Sequence, residues 1–272
     1  MINPTHGRDP VTAISEVEAT GRTAEIFADI REVMQIPLIT SIWRTLADIE
    51  GGLEATWAAT RVIYKTGQPD AALQALKARS EFPVPGPLSA DTLGSAGLSV
   101  EDRRAFSAVI DAYNRSNGMN LIALNALVGE PSGQASNYAL TSPDLWPELR
   151  PLLEKEEIDV ETWALLERVK LLGATNDNPS IATLWRHLAH WPGLLSLVIE
   201  SYEPMQEKGA IAGAIEGVME SVLVAASGIS HFKPSTADIP DEAWQMVVHY
   251  SAGVSRMVTL GHGVAQWIKA VE

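Results

Sequence analysis

PLITSIWRTLADIEGGL (37–53) and PSIATLWRHLAHWPGLL (179–195) align without a gap at an offset of 142 residues. Eight of the 17 positions are identical, among them Pro37/Pro179, Trp43/Trp185, Arg44/Arg186, Leu46/Leu188 and Gly51/Gly193. Self-similarity at a fixed offset marks a duplicated structural unit. A weaker echo at offset 138 pairs AFSAVIDAYNRSNGM (105–119) with AWQMVVHYSAGVSRM (243–257), identical at Ala105/Ala243, Val109/Val247 and Met119/Met257. Order and spacing together predict two homologous halves, about 18–127 and 159–272. Two copies of one unit in a chain are expected to pack as a pseudo-dimer, with related faces meeting near a pseudo-twofold axis. A cleft between packed units is a common ligand site.

The repeated stretch is helical in pattern. Ile39, Ile42, Trp43, Leu46, Ala47 and Leu53 follow steps of three and four, one face of a helix. Pro37 and Pro179 stand where a helix begins, since a proline there forfeits no intrahelical hydrogen bond. Residues 22–33 and 68–80 are rich in the strong helix formers Ala, Leu, Glu and Arg. A long helical stretch runs from about 100 to 127, with Ser99 as N-cap and Asp102 placed for the helix dipole. EFPVPGPLSADTLGSAG (81–97) is broken by Pro and Gly and reads as loop. GEPSGQASNYALTSPD (129–144) is the most polar, turn-rich piece and reads as the connection between halves. Helical pattern resumes from about 145 to 228 and again after a break at 227–241; no period-2 strand is found. The expected fold is all-α: an N-terminal helical repeat over 1–127, a linker over 128–157 and a C-terminal repeat over 158–272, packed as one unit.

Composition narrows the function. With 46% hydrophobic and 20% charged residues, the 272-residue chain can bury a sizeable core. It has no cysteine, which removes disulfides, thiolate nucleophiles, Cys-ligated zinc and iron–sulfur clusters, and suits a reducing compartment. Twenty Lys and Arg stand against 34 Asp and Glu, a net −14 that argues against a nucleic-acid partner. A local arginine can still dominate a pocket for a small anion. No apolar run approaches the roughly 18 residues of a membrane span. The N-terminus, MINPTHGRDPVTAISEVEATG, lacks the basic start and apolar centre of a secretory signal. The expectation is a cytoplasmic protein with a small-molecule partner, no nucleic-acid or membrane partner, and a form compatible with a homodimer.

Several residues carry candidate chemistry, each with a plainer reading beside it. Arg44 and Arg186 lie inside apolar stretches; they snorkel or pair with a carboxylate, or they grip a substrate carboxylate with the guanidinium fork. His187 and His190 share one side of a helix. A metal pair there would need further ligands, and Thr45 and Asp48 occupy the matching positions of the first copy, so no metal site is predicted. His190 remains a candidate general base or a structural histidine. Asn114, Asn117 and Asn120 interrupt an apolar helical region, as a kink or as buried amides that orient water or a carbonyl. In Asn176-Asp177-Asn178-Pro179 the polar residues cap a helix, or Asp177 serves as general base. Gly261-His262-Gly263 allows close helix contact or opens pocket space. No dinucleotide, P-loop, nucleophile-elbow or His-Glu-x-x-His motif is present.

TAEIFADIREVMQIPLITSIWRTLA (23–47), YNRSNGMNLIALNAL (113–127) and LWRHLAHWPGLL (184–195) resemble the group I D,L-2-haloacid dehalogenases, also labelled the halocarboxylic acid dehydrogenase family. The resemblance covers roughly 15–270, poorly at the linker. It implies two all-helical repeats with an active site buried between them, and a distant likeness of each half to alkylhydroperoxidase D-type units, whose cysteine pair is missing here. It also implies cofactor-free hydrolysis of small 2-halocarboxylic acids: an Asp activates water, an Asn positions it, and halide leaves C2 with inversion. The Asn carries over to Asn117. The Asp falls on Leu184, and leucine cannot activate water. Either Asp177 or His190 supplies the base, or the chain binds or transforms another small acidic or apolar ligand. Leu38, Ser41, Thr183 and Leu184 are expected to line the cleft, with Arg44 and Arg186 as candidate partners of the substrate carboxylate.

Overall fold

The computed structural model describes residues 13–140 and 145–271. Among these residues the chain is helices and irregular segments, with no strand. The helices are α1 (Gly21–Met34), α2 (Ser41–Leu46), α3 (Gly52–Lys65), α4 (Gln68–Arg79), α5 (Ala90–Ser95), α6 (Val100–Val128), α7 (Val160–Val169), α8 (Thr183–His187), α9 (Pro192–Glu207), α10 (Ala210–Ile229), α11 (Asp241–Gly253) and α12 (Ser255–Lys269).

Helix α6 is the axis of the structure. Its start is fixed by a capping box: the Ser99 hydroxyl accepts from the Asp102 amide, and the Asp102 carboxylate accepts from the Ser99 amide. At 29 residues it runs through both hydrophobic cores. Its first half, Phe106 to Tyr113, is buried with α7, α8, α9 and much of α12. Its second half, Met119 to Leu127, is buried with α1, α3, α4, the end of α10 and part of α11. Each core therefore draws on both copies of the repeat, and neither copy closes a core alone. Trp43 and Trp185, repeat equivalents, lie fully buried in the first and second core respectively.

The shared glycines of the repeat do different work. Gly51 sits at φ +67° before α3, a left-handed conformation that a side chain disfavours. Gly193 lies in the first turn of α9, behind Pro192, where a β-carbon would come within 2.1 Å of the Ala96 carbonyl oxygen.

Three expectations need correction. The helical pattern expected from about 145 does not become helix until a 3-10 turn at Lys155–Glu157 and then α7. Pro147 and Pro151 in this stretch supply no amide donor and restrict the residues before them. The loop expected at 81–97 contains α5, nucleated where the Ser89 hydroxyl accepts from the Thr92 amide. The expectation of no membrane-length apolar run also fails. Ala210–Phe232 is long and apolar enough by length and mean hydropathy, 1.5, to cross a bilayer. One side of this helix, Ile211, Val218, Val222, Ala226 and Ile229, is buried in the bundle, while Glu216 and Glu220 lie on the exposed side.

Candidate functional site

A cavity of about 430 Å³ opens where both copies of the repeat meet the α11–α12 junction. Thr40 and Ser41 reach it from the start of α2, Tyr113 and Asn117 from α6, and Thr183 and Leu184 from the start of α8. Ser41 and Thr183 are equivalent positions of the repeat, at the same offset of 142. Tyr250, His249, Ser255 and Arg256 close it from α11 and α12.

A chain of hydrogen bonds sets the polar wall. The Tyr250 hydroxyl donates to Asn117 Oδ1 at 3.1 Å. Beside it, Asn120 Nδ2 donates to Thr40 Oγ1 at 2.8 Å, and the Tyr64 hydroxyl donates to Asn120 Oδ1 at 2.7 Å. With its carbonyl oxygen turned to Tyr250, the Asn117 amide keeps both N–H donors for the cavity, beside one remaining acceptor lone pair. Thr183 Oγ1 is buried and has no partner among the described residues. Burial pushes the Tyr250 hydroxyl well above the ordinary tyrosine range, so it stays protonated and acts as a donor.

Among the described residues, no Asp or Glu lines this cavity. The charged or chargeable groups there are Arg256 and the exposed His249. Arg256 is held by the Lys170 carbonyl at 3.0 Å, and burial lowers its pKa from the ordinary arginine value. The wall is donor-rich and free of carboxylate, which suits an anion that accepts hydrogen bonds.

The residues singled out in the sequence separate into two sets. Ser41, Asn117, Thr183 and Leu184 come together on the cavity wall. Asp177 is exposed on a turn, flanked by Asn176 and Asn178, which both line the cavity. Leu38 is buried in the second core and does not reach the wall. His190 lies outside it, with Nε2 2.8 Å from the Pro151 carbonyl oxygen. His187 beside it is buried, with one ring nitrogen 2.7 Å from the Arg150 carbonyl oxygen and the other 3.3 Å from the Tyr113 hydroxyl. Burial holds its pKa down to about 4.

Arg44 and Arg186 are also off the wall, and they share one arrangement. Arg44 donates through Nε to the Ile14 carbonyl and through Nη2 to the Ala13 carbonyl. Arg186 donates through Nε to the Leu153 carbonyl at 2.7 Å and through Nη2 to Glu154 at 3.1 Å. Each guanidinium thus pins the chain segment that leads into its own copy of the repeat. Sequence reasoning missed Tyr250, Tyr113 and Arg256. A tyrosine or arginine on an amphipathic helix gives no local sign that it faces a cavity.

Helix α12 comes close to α6 behind this wall. A β-carbon on Gly261 would stand 2.1 Å from Asn114 Oδ1 and 3.5 Å from Leu184 Cδ2. The Gly261 carbonyl accepts from Asn114 Nδ2 at 3.0 Å. Leu184, where the resemblance would place the catalytic carboxylate, is therefore packed against backbone and 2% exposed.

No family model matches the chain. It is 26% identical over 212 residues to a configuration-inverting 2-haloacid dehalogenase of Alcaligenes xylosoxydans xylosoxydans, a match covering 74% of this chain and 69% of that protein. Over 111 residues it is 31% identical to an (R)-2-haloacid dehalogenase of Pseudomonas putida, covering 39% of this chain and 37% of the relative. Its fold matches a D-2-haloacid dehalogenase mutant in complex with D-2-CPA, with a TM-score of 0.76, 18% identity, and 96% and 97% of the two chains covered. The complex of D-2-haloacid dehalogenase with L-LA matches with the same TM-score at 17% identity and the same coverage.

Proposed function

We propose, for a chain related in sequence to 2-haloacid dehalogenases and sharing their all-α fold, that its cavity receives the anion of a small 2-halocarboxylic acid and that water displaces the halide. The observation that carries this reading is the donor-rich, carboxylate-free wall around Asn117 and Thr183. The substrate carboxylate is an acceptor-only group and matches unpaired N–H and O–H donors.

In the proposed step a water oxygen attacks C2 from the side opposite the halogen. The C–O bond forms as the C–halogen bond breaks, the halide leaves with the bonding electron pair, and a water proton passes to a base. One such displacement inverts C2. Asn117 holds the water oxygen through its Nδ2 donors, and placing the two reactants in line supplies much of the acceleration. Asp177 is the base of this proposal, because its turn carries two cavity-lining neighbours. His190 is tied to Pro151 away from the cavity.

Halide release from both enantiomers of 2-chloropropionate tests the reading. Release above a buffer blank is expected, lost in Asn117→Ala and in Asp177→Asn. Folded protein that releases no halide from either enantiomer would overturn it.

A second reading rests on the same missing carboxylate: the cavity binds a small carboxylate and does not turn it over. Stabilisation by 2-chloropropionate and by propionate in a melting assay, without halide release, distinguishes it from the first.

A further inference from the structure

A second cleft, of about 740 Å³, shares no lining residue with the cavity above. It is bounded by α4, α6 and α12, with Trp146 from the connecting segment as one wall. Its charge runs against that of the molecule. Among the described residues, Lys77, Arg103, Arg104 and Lys269 line it, against one carboxylate, Asp111. Arg115 also reaches it but is committed to Asp70 by a two-pronged ion pair at 2.7 and 3.0 Å.

The four rim cations are weakly committed. Lys269 meets Asp111 at 3.1 Å, with the lysine side chain largely open to water and the aspartate partly so. Among the described residues Lys77 hydrogen-bonds only Gln74, at 3.3 Å, and Arg103 reaches the Val271 carbonyl oxygen at 3.5 Å. Arg104 has no ion pair or hydrogen bond among the described residues. In a chain of net charge −14, four such cations around one concavity form a local field that screening confines to the cleft.

The inner part of the cleft is polar as well. Two side chains more than nine-tenths buried, Asn114 and His262, are among the residues that line it. The His262 ring is packed on Phe82, with centroids 4.9 Å apart.

We propose that this cleft binds a small organic polyanion, a molecule with two or more acidic groups such as a phosphate ester or a polycarboxylate. The rim cations neutralise its charges, and its polar body lies over Asn114 and His262. A single-charge acid gains too little from four cations to compete with water, so the site selects for charge number. It is separate from the dehalogenase-type cavity and does not depend on that reading.

Calorimetric titration of the full chain at low ionic strength tests this, with glycerol 3-phosphate and citrate as the two polyanion sources and acetate as the one-charge control. At least one polyanion is expected to bind at least tenfold more tightly than acetate, and the one that binds identifies the head group. Lys77→Glu with Arg104→Glu should weaken that binding at least tenfold. Arg22→Glu with Lys65→Glu makes the same change in net charge far from the cleft and should leave it within about twofold. Absence of binding by both polyanions, or equal loss in the two double variants, would overturn the proposal. Both variants alter exposed side chains, and a melting curve on each confirms that the fold is retained.

Discussion

The Tyr250 hydroxyl on α11 donates to Asn117 Oδ1 on α6 across 3.1 Å, joining residues 133 positions apart. This bond decides which face of the Asn117 amide meets the cavity. It holds the amide oxygen on the tyrosine and leaves both N–H donors for the cavity.

Tyr250→Phe removes the bond and frees Asn117 to rotate. Loss of one buried hydrogen bond is expected to lower stability by about 1 kcal/mol. The larger effect should be on the site: carboxylate binding or halide release falls at least tenfold. Urea denaturation beside an activity or binding titration checks both. An unchanged site with the stability loss present would remove Tyr250 from any positioning role.

Leu184→Asp places a carboxylate on the cavity wall near Asn114 and Gly261. Halide release from 2-chloropropionate is expected to rise above that of the parent chain. Burying a charge at a position only 2% exposed should destabilise the fold, by about 3 kcal/mol or more unless the group is hydrogen-bonded. Rate measurements and a denaturation curve on the same sample test the exchange of stability for activity. A folded variant with no gain would show that a carboxylate at 184 is not the missing component.

Arg44→Met and Arg186→Met should act alike, because each arginine bonds a chain segment leading into its own repeat. Each removal leaves a carbonyl or carboxylate without its donor, with an expected loss of about 1–3 kcal/mol. Affinity for small carboxylates should hold within about twofold, since neither residue lines the cavity. Equilibrium unfolding and a ligand titration separate the two effects; a large drop in affinity at full stability would return these arginines to the binding site.

Stability should fall as the solution is acidified from neutrality. Burial lowers His187 from 6.5 to about 4 and His262 from 6.5 to about 3. Between those values and 6.5 the unfolded chain binds more protons than the folded one, so stability rises with pH across that window. The contribution is complete above about 6.5 and declines as pH falls through the window. For His187 it amounts to about 3 kcal/mol, at 1.36 kcal/mol per pH unit. Urea midpoints at pH 7, 5.5 and 4.5 should decrease in order, and His187→Gln should flatten the decline. An unchanged slope in that variant would mean that His187 is not held neutral by the fold.

Much of the architecture was readable because it is local. The three-and-four spacing around Trp43 and Trp185, the Ser99–Asp102 capping box and the length of α6 all arise from contacts a few residues apart, which a sequence displays directly. The repeat was readable for the same reason: it is an identity of residues. Where local rules conflicted, the reading failed. The apolar spacing at 145–154 suggested helix, yet Pro147 and Pro151 prevail there. The small residues and glutamates of α10 hid an apolar helix of membrane length.

The site divides along the same line. Sequence alone established an all-α chain with a repeated 17-residue stretch, no thiol chemistry, and leucine at the position where the resemblance calls for a carboxylate. It also singled out Asn117, Ser41 and Thr183, which do share a wall. Tertiary structure alone decided that Tyr250 fixes the Asn117 amide, that Arg44 and Arg186 face backbone carbonyls, and that four cations converge on one cleft of an acidic protein. Periodicity tells which side of a helix is buried. It does not tell which other helix covers that side, and the chemistry of this chain lies in those distant pairings.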